Sequence, residues 1–138
     1  MPTTTARANK VATVIIPVAD QDRAVAFYVE KLGFDKRVDV PFGNGYRWIE
    51  VGLGSESTTI ALAPPPPEGH EAGNRETGIS LQTDDIDGYY AALKAAGVDV
   101  DEQVQRMGDP VPPLFWFRDP SGHVLMVVEE TEPTPEPA

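Results

Sequence analysis

The chain repeats one order of apolar and polar segments twice. Residues 11–18 form a short apolar run with β-branched side chains, which predicts a strand. Apolar residues then recur at helical spacing from Asp20, a capping residue, to Gly33, which stands where glycines end helices. Three further strands are predicted in this half, over 35–40, 46–51 and 58–63.

The second half of the chain begins in the same way. Residues 78–83 alternate apolar and polar side chains as a strand does, and Asp84 or Asp85 then caps a helix that ends at Gly97. The separation from Asp20 to Gly33 equals that from Asp84 to Gly97, which supports an internal duplication. Three more strands are predicted, over 98–104, 111–118 and 124–129.

Segments without a regular pattern divide the chain. The predicted divisions are a flexible arm (1–10), module one (11–63), a proline-rich linker (64–76), module two (77–130) and a disordered tail (131–138). We expect a single domain over 11–130, since neither half can close a sheet alone. The predicted fold is α+β: two βαβββ modules forming a curved mixed sheet around a cavity, with the helices outside.

Composition narrows the classes of function. A chain of 138 residues with 41% hydrophobic residues is expected to fold around one core. The absence of cysteine excludes disulfides, zinc thiolates and cysteine nucleophiles. A net charge of −11 disfavours nucleic acids and anionic membranes as partners. No signal peptide and no bilayer-spanning run is evident, so a cytoplasmic location is expected.

Three short motifs follow one another in a characteristic order. They are Ala26-Phe27-Tyr28 with Leu32-Gly33-Phe34, Thr83-Asp84-Asp85-Ile86 with Ala95-Ala96-Gly97-Val98, and Phe117-Arg118-Asp119-Pro120-Ser121-Gly122-His123. Together they resemble the vicinal-oxygen-chelate superfamily, which includes glyoxalases, ring-cleaving dioxygenases and bleomycin-resistance proteins. The resemblance covers about 11–129 and implies the paired-module fold, but a fold alone does not imply one function.

The resemblance also implies where a divalent metal would bind. Enzymes of the family hold the ion through histidine or glutamine, glutamate, histidine and glutamate, on the first and last strands of each module. Matched by spacing, these positions fall on Thr13, Ala61, Gly78 and Met126. None is a usual ligand, so we expect no metal and no cofactor. The two histidines, His70 and His123, are expected to be solvated loop residues in the linker and a hairpin.

Strand alternation separates helix-facing residues from cavity-facing residues. If Ile49, Val51 and Phe117 pack toward the helices, Trp48 and Trp116 face the cavity. The candidate ligand-binding residues are Thr13, Tyr46, Trp48, Glu50, Ala61, Gln82, Trp116 and Met126. This apolar, aromatic-rich set suits a flat or aromatic molecule, because each indole offers a stacking surface and one hydrogen-bond donor. The alternative places the tryptophans in the core and leaves Glu50 as an exposed strand carboxylate.

Two classes of function follow. The first is non-catalytic binding of a small hydrophobic or aromatic molecule, such as an antibiotic, for sequestration. The alternative is a lyase or dioxygenase-type enzyme that uses metal ligands placed elsewhere, or Glu50 as a general base. A small-molecule sensor or a partner-binding module is a third reading. Because none of the four matched positions holds a usual metal ligand, non-catalytic binding is favoured over the other two classes.

A homodimer is the expected assembly. A cup made of two modules leaves sheet edges, and the linker allows modules to pair within a chain or to be exchanged between chains. Light scattering at micromolar concentration should therefore give twice the chain mass of 15.0 kDa. A mass equal to that of one chain would contradict this expectation.

Overall fold

The structure is a computed structural model that describes residues 6–43, 45–54, 58–64 and 76–130. The chain divides into two compact units, Met1–Ala72 and Gly73–Ala138, and each contains one of the predicted modules. Most of the predicted linker, residues 65–75, and the predicted tail, 131–138, lie outside the described residues. So do residues 1–5 of the predicted arm, whereas 6–10 carry no regular element.

Module one is a four-stranded sheet with one helical segment. Its elements are β1 (Thr13–Pro17), α1 (Gln21–Ala26), a π-helical turn (Phe27–Lys31), β2 (Asp35–Gly43), β3 (Tyr46–Gly52) and β4 (Thr59–Ala63). The strand order is β1-β4-β3-β2, with β1 parallel to β4 and the other pairs antiparallel. β1 and β2, which the helical segment connects, therefore run in the same direction at opposite edges of the sheet, as a strand–helix–strand connection allows.

Module two repeats this topology. Its elements are β5 (Glu76–Thr83), α2 (Ile86–Ala95), β6 (Asp99–Val100), β7 (Leu114–Arg118) and β8 (Val124–Glu129). The strand order is β5-β8-β7-β6, and β5 runs parallel to β8. The predicted α+β fold of two βαβββ modules is thus confirmed. Neither described helix is long and apolar enough to cross a membrane.

The ends of both helical segments follow the predicted capping chemistry. The carboxylate of Asp20 accepts the backbone N–H of Arg23 at 3.1 Å. In module two it is Asp85, rather than Asp84, that caps the helix, since its carboxylate accepts the N–H of Gly88 at 2.9 Å. Gly33 and Gly97 have φ values of 90° and 84°, the left-handed region in which glycine ends a helix without strain.

The first helical segment differs from the prediction in its second half. After Ala26 the turn widens, and the N–H of Leu32 donates to the carbonyl of Phe27 at 3.1 Å, five residues back. Phe27 and Tyr28 are both buried there and meet edge to face, with ring centroids 5.4 Å apart. A hydrophobic pattern of helical spacing does not distinguish this wider turn from a regular α-helix.

The sixth and seventh strands are shorter than predicted. Residues 98–104 were expected to form one strand, but β6 ends at Val100, and β7 begins at Leu114 rather than at 111. Prolines at 110, 112 and 113 have no N–H to donate to a ladder. In addition, the carboxylate of Asp101 accepts the N–H of Trp116 at 3.0 Å, where a continuing strand would supply a carbonyl.

The fifth strand also differs at its start. It begins at Glu76, the last residue of the predicted linker, and its pairing with β8 shifts between Glu76 and Ser80. Gly78 lies in this irregular stretch with φ 74°, a conformation that residues with a Cβ rarely adopt. The hydroxyl of Thr77 stabilises it by donating to the carbonyl of Val124 at 2.8 Å and accepting the N–H of Ile79.

The expectation for His123 was wrong. It is only 1% exposed, whereas a solvated loop residue was expected. The cause is the hairpin between β7 and β8, in which the buried carboxylate of Asp119 accepts the backbone N–H groups of Ser121 and His123, both at 2.9 Å. The hairpin is folded back by its own aspartate instead of extending into solvent. His70 lies outside the described residues.

Gln21 connects the start of α1 to the sheet of module one. Its amide nitrogen donates to the carbonyls of Arg47 and Leu62, at 2.7 and 2.9 Å, and its amide oxygen accepts the N–H of Arg47 at 3.1 Å. The side chain is buried, so these backbone groups depend on it rather than on water. One residue thereby positions α1 against both β3 and β4.

Replacing Gln21 should therefore destabilise the protein. Gln21→Ala leaves one N–H and two carbonyls without this partner, and we expect a loss of about 1–3 kcal/mol in the free energy of unfolding. Denaturant-induced unfolding followed by circular dichroism would measure it. Arg23→Ala, two residues along the same helix and exposed, should change stability by less than about 0.5 kcal/mol. Equal losses for the two variants would contradict this role.

Candidate functional site

Each module has one helical segment, and the opposite face of its sheet forms what we call the open face. In β1, Ile16 is 2% exposed on the helix side, whereas its neighbour Ile15 is 56% exposed on the open face. In β7, Phe115 and Phe117 are completely buried, whereas Trp116 between them is half-buried. In β3, Trp48 is likewise half-buried next to the completely buried Ile49. Because side chains alternate along a strand, both tryptophans lie on the face of their sheet that points away from the helix.

The open face of module one contains five of the predicted site residues. Across the sheet, Ala61 is paired with Ile15 on one side and with Glu50 on the other. Val40 is paired with Trp48 in the neighbouring row. The predicted residues that share this face are Thr13, Tyr46, Trp48, Glu50 and Ala61. Of these, Tyr46 is 42% exposed at the start of β3, and Ala61 is fully buried.

Glu50 is the polar centre of this face. One carboxylate oxygen, Oε2, accepts the indole N–H of Trp48 at 2.8 Å. The other, Oε1, accepts the hydroxyl of Thr59 at 2.8 Å. The donor of Trp48 is therefore already engaged within the protein, so this indole offers a ligand its ring surface rather than its N–H.

Strand alternation predicts that Thr59 lies on the same face as Ala61, but Thr59 was not among the candidate ligand-binding residues. Its contact with Glu50 depends on how β3 and β4 pair. The hydroxyl of Thr13 donates to the backbone carbonyl of Thr59 at 3.2 Å, which links β1 to the same group. Three strands therefore contribute to the position of one carboxylate.

The open face of module two contains the other three predicted residues. Trp116 is paired with Met126, and Met126 is paired in turn with Ser80 on β5. Gln82 is exposed at the end of this face, where its amide donates to Glu130 at 3.0 Å. An indole next to a thioether makes an apolar surface that adapts to a flat ring.

Asp101 was not identified from the sequence, yet it organises the edge of this face. One of its oxygens accepts the backbone N–H of Trp116, and the other accepts the guanidinium of Arg118 at 3.0 Å. Its backbone N–H donates to the carbonyl of Trp116 at 3.1 Å. Arg118 also lies 3.9 Å from the carboxylate of Asp99, so its charge is balanced within the module.

The positions that correspond to the family's metal ligands do not fit a divalent ion. Thr13 offers a hydroxyl that already donates to a backbone carbonyl, and Ala61 offers a buried methyl group. Gly78 has no side chain, and Met126 offers only a soft thioether. Within the described ranges, no three histidine, cysteine, aspartate or glutamate side chains are grouped closely enough to hold a metal ion.

The clearest electrostatic network lies on the helix side of module one. Arg47 donates to Asp39 at 2.9 Å and to Asp22, on the first turn of α1, at 2.7 Å. Hydrogen bonds from Arg47 and then from Lys36 lower the pKa of Asp39, and Asp39 and Asp22 raise that of Arg47. Asp39 and Arg47 thus join α1 to its sheet and lie away from the open face.

In module two, burial raises the pKa of the Tyr89 hydroxyl to about 12.

Residues 10–127 match the sequence model of the Glyoxalase/Bleomycin resistance protein/Dioxygenase superfamily. The chain belongs to this superfamily. The resemblance inferred from its three motifs is therefore confirmed, and the match includes both modules. The superfamily includes binding proteins as well as enzymes, so a function for this chain must be inferred from the residues of its site.

Similar proteins cover nearly the whole chain. The crystal structure of TnmS3, described as an antibiotic binding protein from Streptomyces sp. CB03234, is 31% identical, with a TM-score of 0.78, and the alignment covers 92% of this chain and 100% of that one. A superfamily member from Sphaerobacter thermophilus DSM 20745 is 35% identical, with a TM-score of 0.80 and coverage of 89% and 98%. The uncharacterized protein YetH of Bacillus subtilis (strain 168) is 30% identical, with coverage of 88% and 98%.

The two faces of β7 should differ in what they contribute to stability. Phe117→Ala removes a fully buried ring and should cost about 3–5 kcal/mol of unfolding free energy. Trp116→Ala, on the open face, should cost clearly less, although tryptophan is the larger side chain. Urea unfolding of the two variants would compare them directly. A loss for Trp116→Ala as large as that for Phe117→Ala would mean that Trp116 belongs to the core.

Proposed function

We propose that this protein binds a small hydrophobic or aromatic molecule without a metal ion, and that it sequesters the molecule rather than transforming it. The observation that carries the proposal is the composition of the open faces. Half-buried tryptophans stand on them, and the positions of the family's metal ligands hold a hydroxyl, a methyl group, a hydrogen and a thioether. Such surfaces recognise a ligand by stacking and apolar contact.

The similarity to TnmS3 supports a binding function. That protein is described as antibiotic binding, it is 31% identical to this chain, and the alignment spans its entire length. An antibiotic with a planar ring system is the kind of molecule that an indole surface stacks against. We therefore propose a natural product of this kind as the ligand class.

The enzymatic alternative has less support. Metal-assisted chemistry in this family requires ligands at positions where this chain has Thr13, Ala61, Gly78 and Met126. A metal-free reaction would need Glu50 to accept a proton from a substrate. Both oxygens of that carboxylate already accept hydrogen bonds, from Trp48 and Thr59, so its geometry is that of a fixed acceptor.

The proposal predicts binding of a planar aromatic probe with no metal requirement. Anthracenyl methanol, an uncharged three-ring alcohol, should quench or shift tryptophan fluorescence on titration into the protein. Trp48→Ala tests the indole of module one and Trp116→Ala that of module two. Loss of the indole on which the probe stacks should weaken binding by about 1–3 kcal/mol, or roughly 5- to 150-fold. Fluorescence titration and isothermal calorimetry would both measure this change.

The matched controls separate stacking from folding and from metal chemistry. The matching phenylalanine variant, Trp48→Phe or Trp116→Phe, retains an aromatic ring and should recover much of the affinity lost in the alanine variant. EDTA should leave the dissociation constant unchanged. Binding that disappears with EDTA and returns with a divalent ion would contradict the proposal, as would consumption of the probe over time.

A further inference from the structure

We infer that the ligand bound at the open face of module one carries a protonated amine, which is seated on Glu50 while the adjoining ring lies against Trp48. This inference rests on the proposed binding function and adds the chemistry of the ligand's polar group.

The carboxylate of Glu50 is held in one place before any ligand arrives. Trp48, two residues away on the same strand, donates to Oε2, and Thr59, on the adjacent strand, donates to Oε1. An ionised carboxylate has about four lone-pair positions, so these two bonds leave each oxygen able to accept another donor. A side chain fixed in this way loses little conformational entropy when a ligand binds.

The two donors to Glu50 are neutral, which distinguishes it from Asp39 and Asp101. Asp39 is paired with Arg47 at 2.9 Å, and Asp101 is paired with Arg118 at 3.0 Å. In both of those pairs an arginine balances the negative charge. The indole N–H and the hydroxyl satisfy the hydrogen bonding of Glu50 but leave its charge in place.

The neighbouring side chains reduce the exposure of this charge to water. Ala61 and Val38 flank Glu50 on the adjacent strands, and Ile15 continues the same row. Electrostatic attraction is stronger next to such apolar groups than in bulk water. None of the ion pairs among the described residues includes Glu50. A ligand ammonium group would supply a positive charge and a charge-assisted hydrogen bond.

The rest of the protein favours the same ligand chemistry. A net charge of −11 attracts cations over distances of about a Debye length and repels anions. The indole of Trp48 adds to this, because the face of its ring is electron-rich and attracts a nearby cation. In module two, Arg118 already balances the carboxylates of Asp101 and Asp99, so these two acids offer an amine less net negative charge than Glu50 does.

Three probes with the same ring system test this inference. Anthracenyl methylamine, anthracenyl methanol and anthracene carboxylate differ only in their charge and hydrogen-bonding group. The unaltered protein should bind the amine at least about tenfold more tightly than the alcohol, and the carboxylate most weakly. Glu50→Gln should reduce the ratio of amine to alcohol affinity to near one while the alcohol still binds.

The control variant is Glu30→Gln, an identical chemical change at an exposed position in the π-helical turn of the same module. It removes the same charge from the chain and should retain the preference for the amine. If Glu50→Gln does not fold, Thr59→Val, which removes one of the two donors to the carboxylate, should lower the preference instead.

The outcomes separate this inference from the function on which it rests. Equal affinities for the amine and the alcohol in the unaltered protein would overturn the inference and leave the proposed aromatic binding intact. So would an equal loss of preference in Glu30→Gln and Glu50→Gln. If none of the three probes binds, the proposed function itself fails, and the inference fails with it.

Discussion

The constraint on which the structure depends is that a sheet has two faces, whereas the described residues of each module form one helical segment, which covers one face. Successive side chains of a strand point to opposite faces of the sheet, and those on the helix side, such as Ile49, Phe115 and Phe117, are completely buried. The intervening residues must then face away from the helix. Trp48, Glu50 and Trp116 are in this position because of the parity of their neighbours, and a shift of one residue would exchange the two sets.

Much of the fold could be predicted from the sequence because its signals are local. Asp20 and Asp85 cap their helices through side-chain bonds to the next turn, and Gly33 and Gly97 end them with positive φ. The same order of elements occurs in both halves of the chain, so the elements predicted in one half support those predicted in the other. Strand faces were predictable where buried apolar residues alternate with other residues, as in β3, in which Ile49 and Val51 lie on either side of Glu50.

The features that escaped prediction depend on contacts between distant residues. Asp101 ends β6 by bonding to Trp116, fifteen residues later, and nothing in the local pattern of 98–104 signals this. His123 is buried because the carboxylate of Asp119 turns the hairpin back on itself. The site behaves in the same way: Trp48 and Glu50 share a face by spacing alone, whereas the contribution of Thr59 depends on strand pairing.

The replacement of metal ligands changes how such a site can select a molecule. A divalent ion binds paired oxygens strongly whatever the ring beside them, so coordination would dominate the affinity. With Thr13, Ala61, Gly78 and Met126 at those positions, no single contact has that strength. In the binding function that we propose, selection comes from several weaker terms acting together: apolar area, stacking on an indole and one fixed polar group. Because stacking tolerates many rings, the fixed carboxylate of Glu50 is the feature of module one that can distinguish one aromatic ligand from another.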